Sequence, residues 1–306
     1  MLQSTVMSRI GSIRNNMKVH LDNKKQDDRE ILFDAVTPGN DYFTYTANGV
    51  SLIGHSSDRF IIRRSYINGR IWSIGTLRQF NRLAHEYYDI DDTKMKYFFD
   101  IGANIGTTCI SFYKAFDQNV KLVAFEPVQD NYRLLKINAL LNDLPDDAYE
   151  FVNKALGARA AKGTFEFKGF NTGLANVEYS DDDSELEGKD NITDIETLDE
   201  FVVARNIDPK EIKYIWIDTE GFEPEVIKGA GETLSRADIP VFLEFTPEFF
   251  RPRANTEVAE FVDLLSKYYS KYIKAGTNDV HELRDLLGTP DRIDGKLNQF
   301  DIFLIK

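Results

Sequence analysis

The sequence predicts an α/β fold from residue 91 to 306, a mainly parallel sheet covered by helices. Two patterns predict it. From Lys96 onward, short apolar runs alternate with helical stretches, and the runs Tyr97–Asp100, Lys121–Glu126, Tyr214–Asp218 and Val241–Glu244 each end in a carboxylate. Strands separated by helices need crossover connections, and crossovers build parallel sheets buried on both faces. The second pattern is a glycine loop, Asp100-Ile-Gly-Ala-Asn-Ile-Gly106, placed directly between the first run and the helical stretch Thr107–Phe116.

Taken in order, residues 1–30 are polar and end in Asn23–Glu30, which predicts a polar arm. Tyr42–Ala47 and Val50–Ile53 flank Asn48-Gly49, the residues that supply the positive φ values of a tight hairpin turn. Arg59–Arg63 predicts a further strand. Leu77, Phe80, Leu83, Ala84 and Tyr87 then fall at helical spacing. Residues 1–90 are therefore expected to form an arm and a small strand-and-helix cap, with the main domain over 91–306.

Within that domain, Phe151–Ala155 predicts the third strand, Tyr214–Asp218 the fourth and Val241–Glu244 the fifth. Glu223–Leu234 predicts a helix interrupted by glycine. Tyr272–Lys274 and Phe300–Ile305 predict an antiparallel closure of the sheet. The acidic stretch Tyr179–Asp190 predicts a solvated loop, because adjacent carboxylates repel and no cation-loop spacing accompanies them.

Composition narrows the function. With 50 acidic against 37 basic residues the net charge is −13, which disfavours a general nucleic-acid surface, since such surfaces gain affinity by neutralising phosphates. Cys109 is the single cysteine, so no intrachain disulfide forms and no zinc spacing exists. No run approaches the length of a membrane span. A cytoplasmic protein without a membrane span is expected, and self-association into a homo-oligomer stays open.

The glycine loop carries the first chemistry. Gly102 permits a close turn, and Gly106 lets the chain enter a helix without a Cβ in cofactor space. Asp100 is a candidate acceptor for an ammonium group and Asn104 a hydrogen-bonding partner for a polar tail. Glu126, ending the second strand, is suited to accept hydrogen bonds from both ribose hydroxyls. Asn131 is the best placed of the following asparagines, Asn138 and Asn142 being more simply structural, and Ala155-Leu156 offers an apolar wall for adenine. A dinucleotide fingerprint would read GxGxxG, and this loop reads GxxxG, which disfavours nicotinamide redox chemistry. These features point to S-adenosylmethionine (SAM).

Phe99–Gly106, Phe125–Asn131 with Asn138 and Asn142, and Ile215–Glu223 followed by Val226–Ala230 make the chain resemble the FkbM family of SAM-dependent methyltransferases, over residues 95–306. The resemblance implies a class I methyltransferase domain: a Rossmann-like seven-stranded sheet with its last strand antiparallel, and methyl transfer commonly to oxygen. The expected partner is a hydroxylated small metabolite, a lipid-like compound or a glycan. A noncatalytic SAM-binding or assembly protein on the same fold is the alternative.

Candidate catalytic residues are the carboxylates at the later strand ends. Asp218 leads as proton acceptor or substrate-orienting group, Glu220 follows, and Glu244 can orient substrate from the opposite wall. Each also has a structural alternative: Asp218 and Glu220 can hold the turn at Gly221, and Glu223 can serve a helix N-terminus. No metal ligands are assigned, because Asp218, Glu220 and Glu244 make an oxygen cluster only where the fold converges them. Trp216 is expected to pack the sheet, and Tyr42, Tyr45, Trp72 and Tyr87 to pack or to wall a substrate. His55 and His85 are weak catalytic candidates, and His20 and His281 weaker ones.

Overall fold

The computed structural model describes residues 25–167, 175–180 and 183–306. The expected arm and His20 thus lie mostly outside the described residues. Residues 25–36 are helical (α1), and Phe33 is fully buried against Phe43 and Tyr66. The hairpin follows as β1 (Tyr42–Ala47) and β2 (Val50–His55), closed by Asn48 and Gly49 at φ 53° and 76°.

Arg59–Arg63, expected as a strand, is not one. The buried Asp58 accepts the Phe60 and Ile61 amides at 2.8 and 2.9 Å, and the chain turns into α2 (Ile62–Asn68). The turn that the Asp58 carboxylate holds outweighs the short apolar run Phe60–Ile62 there. The next helix, α3 (Ile74–Tyr87), buries Leu77, Phe80, Leu83 and Ala84. Its Phe80 ring contacts Tyr214, Trp216, Phe242 and Phe303. The N-terminal segment therefore shares one core with the sheet.

The alternating region runs β3 (Tyr97–Ile101), α4 (Thr107–Ala115), β4 (Lys121–Phe125), α5 (Gln129–Leu141) and β5 (Tyr149–Val152). The chain then leaves the sheet to build a second one from β6 (Ala155–Leu156), β7 (Ala161–Phe167), β8 (Ala175–Ser180) and β9 (Ile192–Glu196), ordered β6-β9-β7-β8. The sequence does not predict this sheet, and β8 occupies the beginning of the expected loop at Tyr179. The Tyr179 hydroxyl accepts the Ala158 amide at 2.7 Å. The chain returns through α6 (Leu198–Ala204) to β10 (Ile212–Ile217), α7 (Glu223–Lys228), α8 (Gly231–Arg236) and β11 (Val241–Phe245). It ends with α9 (Pro247–Ala254), α10 (Val258–Leu265), β12 (Lys271–Lys274), β13 (Val280–Glu282), the short pair β14 (Arg292–Ile293) and β15 (Lys296–Leu297), and β16 (Phe300–Ile305).

The main sheet has eight strands, ordered β13-β12-β16-β11-β10-β3-β4-β5. This corrects the expected seven: β13 is a short edge strand added beside β12, with Tyr272 opposite His281. Strands β5, β4, β3, β10 and β11 pair in parallel, and β16 is antiparallel to both β11 and β12. The chain winds outward from β3 through β4 to β5, then resumes on the other side at β10. Loops on either side of such a switch diverge and leave a crevice at the strand ends.

Two asparagines fasten the hairpin to this frame. Asn138 accepts the Ile53 amide at 2.7 Å and donates to the Ile53 and Ile105 carbonyls at 3.0 and 2.8 Å. Asn142 exchanges the same pair with Ser51, at 2.9 and 2.7 Å. A side-chain amide has the donor and acceptor of a peptide unit, so α5 completes the free edge of β2 as a strand would. Among the described residues, no helix is long and apolar enough to cross a membrane.

Candidate active site

The glycine loop after β3 passes under the loop after β10. A Cβ on Gly102, at φ 87°, would lie 1.9 Å from the Asp218 backbone oxygen, so the crossing requires glycine. Gly106 plays a different part from the expected one. Its missing Cβ clears the Leu135 and Ile110 side chains, which is a helix-packing demand and not one of cofactor space. Asp100 is set back from the open spaces. It is 1% exposed, lines neither cavity described below, and its Oδ2 accepts the Cys109 amide at 3.1 Å, anchoring the first turn of α4. Burial raises its carboxyl to about 7.

Glu126, just past β4, is 4% exposed. Its carboxylate accepts the Asn104 and Val128 amides at 2.8 and 2.9 Å, and the Asn131 side chain at 3.5 Å. Burial pushes it up to about 7 against those hydrogen bonds. With Gly102, Asn104, Asn131, Ala155 and Leu156 it lines an inner cavity of about 50 Å³, which Val177 of the second sheet and Phe222 also line. The Asn104 Oδ1 is buried there without a hydrogen bond. A cleft of about 550 Å³ adjoins it, and Gly102, Asn104, Asp218 and Glu220 line both spaces.

The cleft has an acidic floor. Asp218 follows β10 directly, held by its amide to the Ile101 carbonyl at 2.9 Å. Glu220 has φ 55°, a left-handed conformation that turns its side chain back into the crevice. Glu244 sits on β11, is 6% exposed, and accepts a hydrogen bond from Gln299. Ligand oxygens of Asp218, Glu220 and Glu244 all lie within 4.8 Å of one another. Asp218 is solvent-exposed and lines the cleft, and desolvation by the protein packed around it raises its carboxyl to about 6. Glu220 rises to about 8 through burial and then the charges of Asp218 and Glu223, while Arg253, 3.9 Å from its Oε2, opposes the shift. Burial and the neighbouring carboxylates carry Glu244 well above its ordinary range.

The fold thus brings together the three carboxylates singled out from sequence and separates out a fourth. Holding the turn falls to Glu223, not to Asp218 or Glu220. Its Oε1 accepts the Thr219 amide and hydroxyl at 2.8 and 2.9 Å and the Gly221 amide at 3.2 Å. Sequence reasoning missed Asp301, which lines the cleft and pairs in register with Glu244 across β11 and β16. Its signal was an acid inside the otherwise apolar run Phe300–Ile305. Trp216 stacks on Phe242 at 3.8 Å, as packing requires, and also lines the cleft, as does the exposed Trp72. His55, His85 and His281 line neither space.

Residues 100–287 match the methyltransferase FkbM domain, a span that holds the glycine loop, Glu126, Asp218, Glu220 and Glu244. The chain belongs to the FkbM family of SAM-dependent methyltransferases. SAM is the cofactor that goes with this domain. No curated protein sequence matches it. Among solved structures, the FkbM chain is similar to a methyltransferase FkbM from Methylobacillus flagellatus, at 13% identity and TM-score 0.42, over 80% of this chain and 52% of that one. It is similar to a SAM-dependent methyltransferase from Agrobacterium tumefaciens, at 10% and 0.42, over 87% and 69%. It is also similar to the tRNA (uracil-54, C5)-methyltransferase of Pyrococcus abyssi, solved with S-adenosyl-L-homocysteine, at 10% and 0.40, over 87% and 45%. The chain spans about half the length of the first and the third.

The residues of the inner cavity fit SAM chemically. Glu126 would offer a buried acceptor to ribose hydroxyls, the unpartnered Asn104 Oδ1 an acceptor to an ammonium group, and Ala155 and Leu156 an apolar wall to a base.

Proposed function

We propose that this chain methylates a hydroxyl oxygen of a small metabolite, a lipid-like compound or a glycan, with cofactor in the inner cavity and acceptor in the cleft. The observation that carries this reading is the shared wall: Gly102, Asn104, Asp218 and Glu220 face both spaces, so an acceptor on the acidic floor borders the cofactor side. When bound, SAM supplies a methyl group on a positively charged sulfur, already activated for attack by an oxygen lone pair.

The chain's part is then to hold, orient and deprotonate. Glu126 and Asn131 hold the nucleoside end and Asn104 the ammonium end. Asp218 accepts the hydroxyl proton at its carboxylate. Glu220 and Glu244 orient the hydroxyl beside it. Residues 31–90 act as a cap that completes the acceptor side, contributing Phe60, Arg64, Trp72 and Ser73 to the cleft. Aromatic rings above an acidic floor suit a ligand with both apolar faces and hydroxyls.

Transfer of labelled methyl from SAM across a panel of hydroxylated compounds tests the reading. The expected product carries an ether-linked methyl. SAM binding with the label transferred only to nitrogen, carbon or sulfur acceptors would contradict oxygen transfer, and binding without transfer to any acceptor would favour the noncatalytic alternative.

A further inference from the structure

We infer that Asp218, Glu220 and Glu244 form a binding site for one hard divalent cation of the Mg²⁺, Mn²⁺ or Ca²⁺ class, at the floor of the acceptor cleft. Its role, holding the acceptor hydroxyl, rests on the function proposed above, whereas its existence does not.

Distance is the first support. Two oxygens on opposite sides of a cation at Ca²⁺ ligand distances are about 4.6–5.2 Å apart, and at Mg²⁺ distances about 4.1 Å. The three carboxylates place an oxygen each within 4.8 Å of the others, from the loop after β10 and from β11. Three oxygens at that upper limit lie about 2.8 Å from a common centre, so small side-chain rotations bring all three to ligand distance of one ion. The donor set is oxygen only, without histidine or cysteine, which suits these ions and not zinc.

The second support is independent of spacing. Glu244 is 6% exposed, and its Oε2 has no hydrogen-bond partner. It also faces Asp301 in register on the neighbouring strand. Like charges directly opposite across a ladder are destabilising, and a buried carboxylate without donors is costly. Glu126, buried to the same degree, has three donors. Among the described residues the cation within ion-pair reach of the cluster is Arg253, 3.9 Å from Glu220 and hydrogen-bonded to the Glu220 carbonyl. One guanidinium at the edge leaves the centre of three carboxylates unneutralised. Trp216 adds a donor for a ligand oxygen: it lines the same cleft, is 4% exposed, and its indole N–H is unpartnered.

The test is a titration of Mn²⁺ into the wild-type chain, followed by calorimetry and by the electron paramagnetic resonance of free Mn²⁺, with SAM binding measured on the same sample. One saturable site is expected, and D218N and E244Q should each weaken it at least about tenfold, with E126Q unchanged. Asp218 lies in a loop, so D218N keeps the test decisive if E244Q does not fold. No saturable Mn²⁺ binding by wild type overturns the site whether or not SAM binds. Wild-type Mn²⁺ affinity in D218N overturns it too, as does competitive displacement of Mn²⁺ by SAM, which would assign the carboxylates to the cofactor's own positive charge. Mn²⁺ binding without SAM binding supports the site while breaking the function on which its role depends.

Discussion

Glu126 and Glu244 are alike in position and opposite in circumstance. Each stands at the open end of a parallel strand, and their exposures are 4% and 6%. Glu126 accepts two backbone amides and a side-chain amide. Glu244 accepts one hydrogen bond, from Gln299, and otherwise meets the carboxylates of Asp218, Glu220 and Asp301. The difference teaches what each region waits for. A carboxylate whose charge is already supported by donors can accept hydroxyl hydrogens from a neutral sugar. One buried among like charges needs a proton or a cation before it is comfortable, and a group in that state serves chemistry better than it serves binding.

The largest expected effect breaks the second region alone. D218N keeps the size of the side chain and removes its proton-accepting charge, so methyl-transfer turnover should fall about a hundredfold or more. Single-turnover transfer, paired with SAM titration, checks this. A fall in SAM affinity of the same size as the fall in turnover would place Asp218 in the cofactor region instead.

Removing the link between the N-terminal segment and the frame sharpens the comparison from outside. N138A deletes partners of the Ile53 amide and of the Ile53 and Ile105 carbonyls, and should cost about 1–3 kcal/mol of stability. Denaturant unfolding measures it. An unchanged midpoint would mean that the β2 edge is held by packing alone.

A smaller effect belongs to the first region. Burial holds the Glu126 carboxyl near 7, above its value in an unfolded chain, so its contribution to stability is present below about 4.5 and is lost as pH rises through 7. E126Q should flatten that part of the pH–stability curve, measured by thermal unfolding from pH 4.5 to 8. In wild type, SAM affinity should rise over the same window, as the acceptor form of Glu126 becomes populated. The smallest effect is expected at the rim: W72A should raise the acceptor KM a few-fold and leave SAM affinity alone, since Trp72 lines the cleft but not the inner cavity.

Much of the first region was legible in the sequence. A glycine loop between strand and helix, and a carboxylate closing the next strand, are local patterns, and Glu126, Asn104 and Gly102 stand where such patterns put them. A short motif does not reveal which of its members face the cavity and which, like Gly106 and Asp100, face α4 and α5. The second region depends on convergence. Nothing local to Asp218, Glu220 or Glu244 shows that β10 and β11 are neighbours, or that β16 returns between β11 and β12 to set Asp301 opposite Glu244. Glu223 was hidden for a related reason: its reach back to Thr219 and Gly221 follows from the left-handed turn at Glu220. The second sheet escaped because β6 is two residues long and β8 runs into an acidic stretch.

The claim that two equally buried strand-end carboxylates serve different ligands is tested most directly by SAM calorimetry on E126A and E244Q, side by side with wild type. The account predicts that E126A loses about tenfold or more in affinity while E244Q stays within about twofold of wild type. Equal losses in the two variants, or wild-type affinity in E126A, would contradict it.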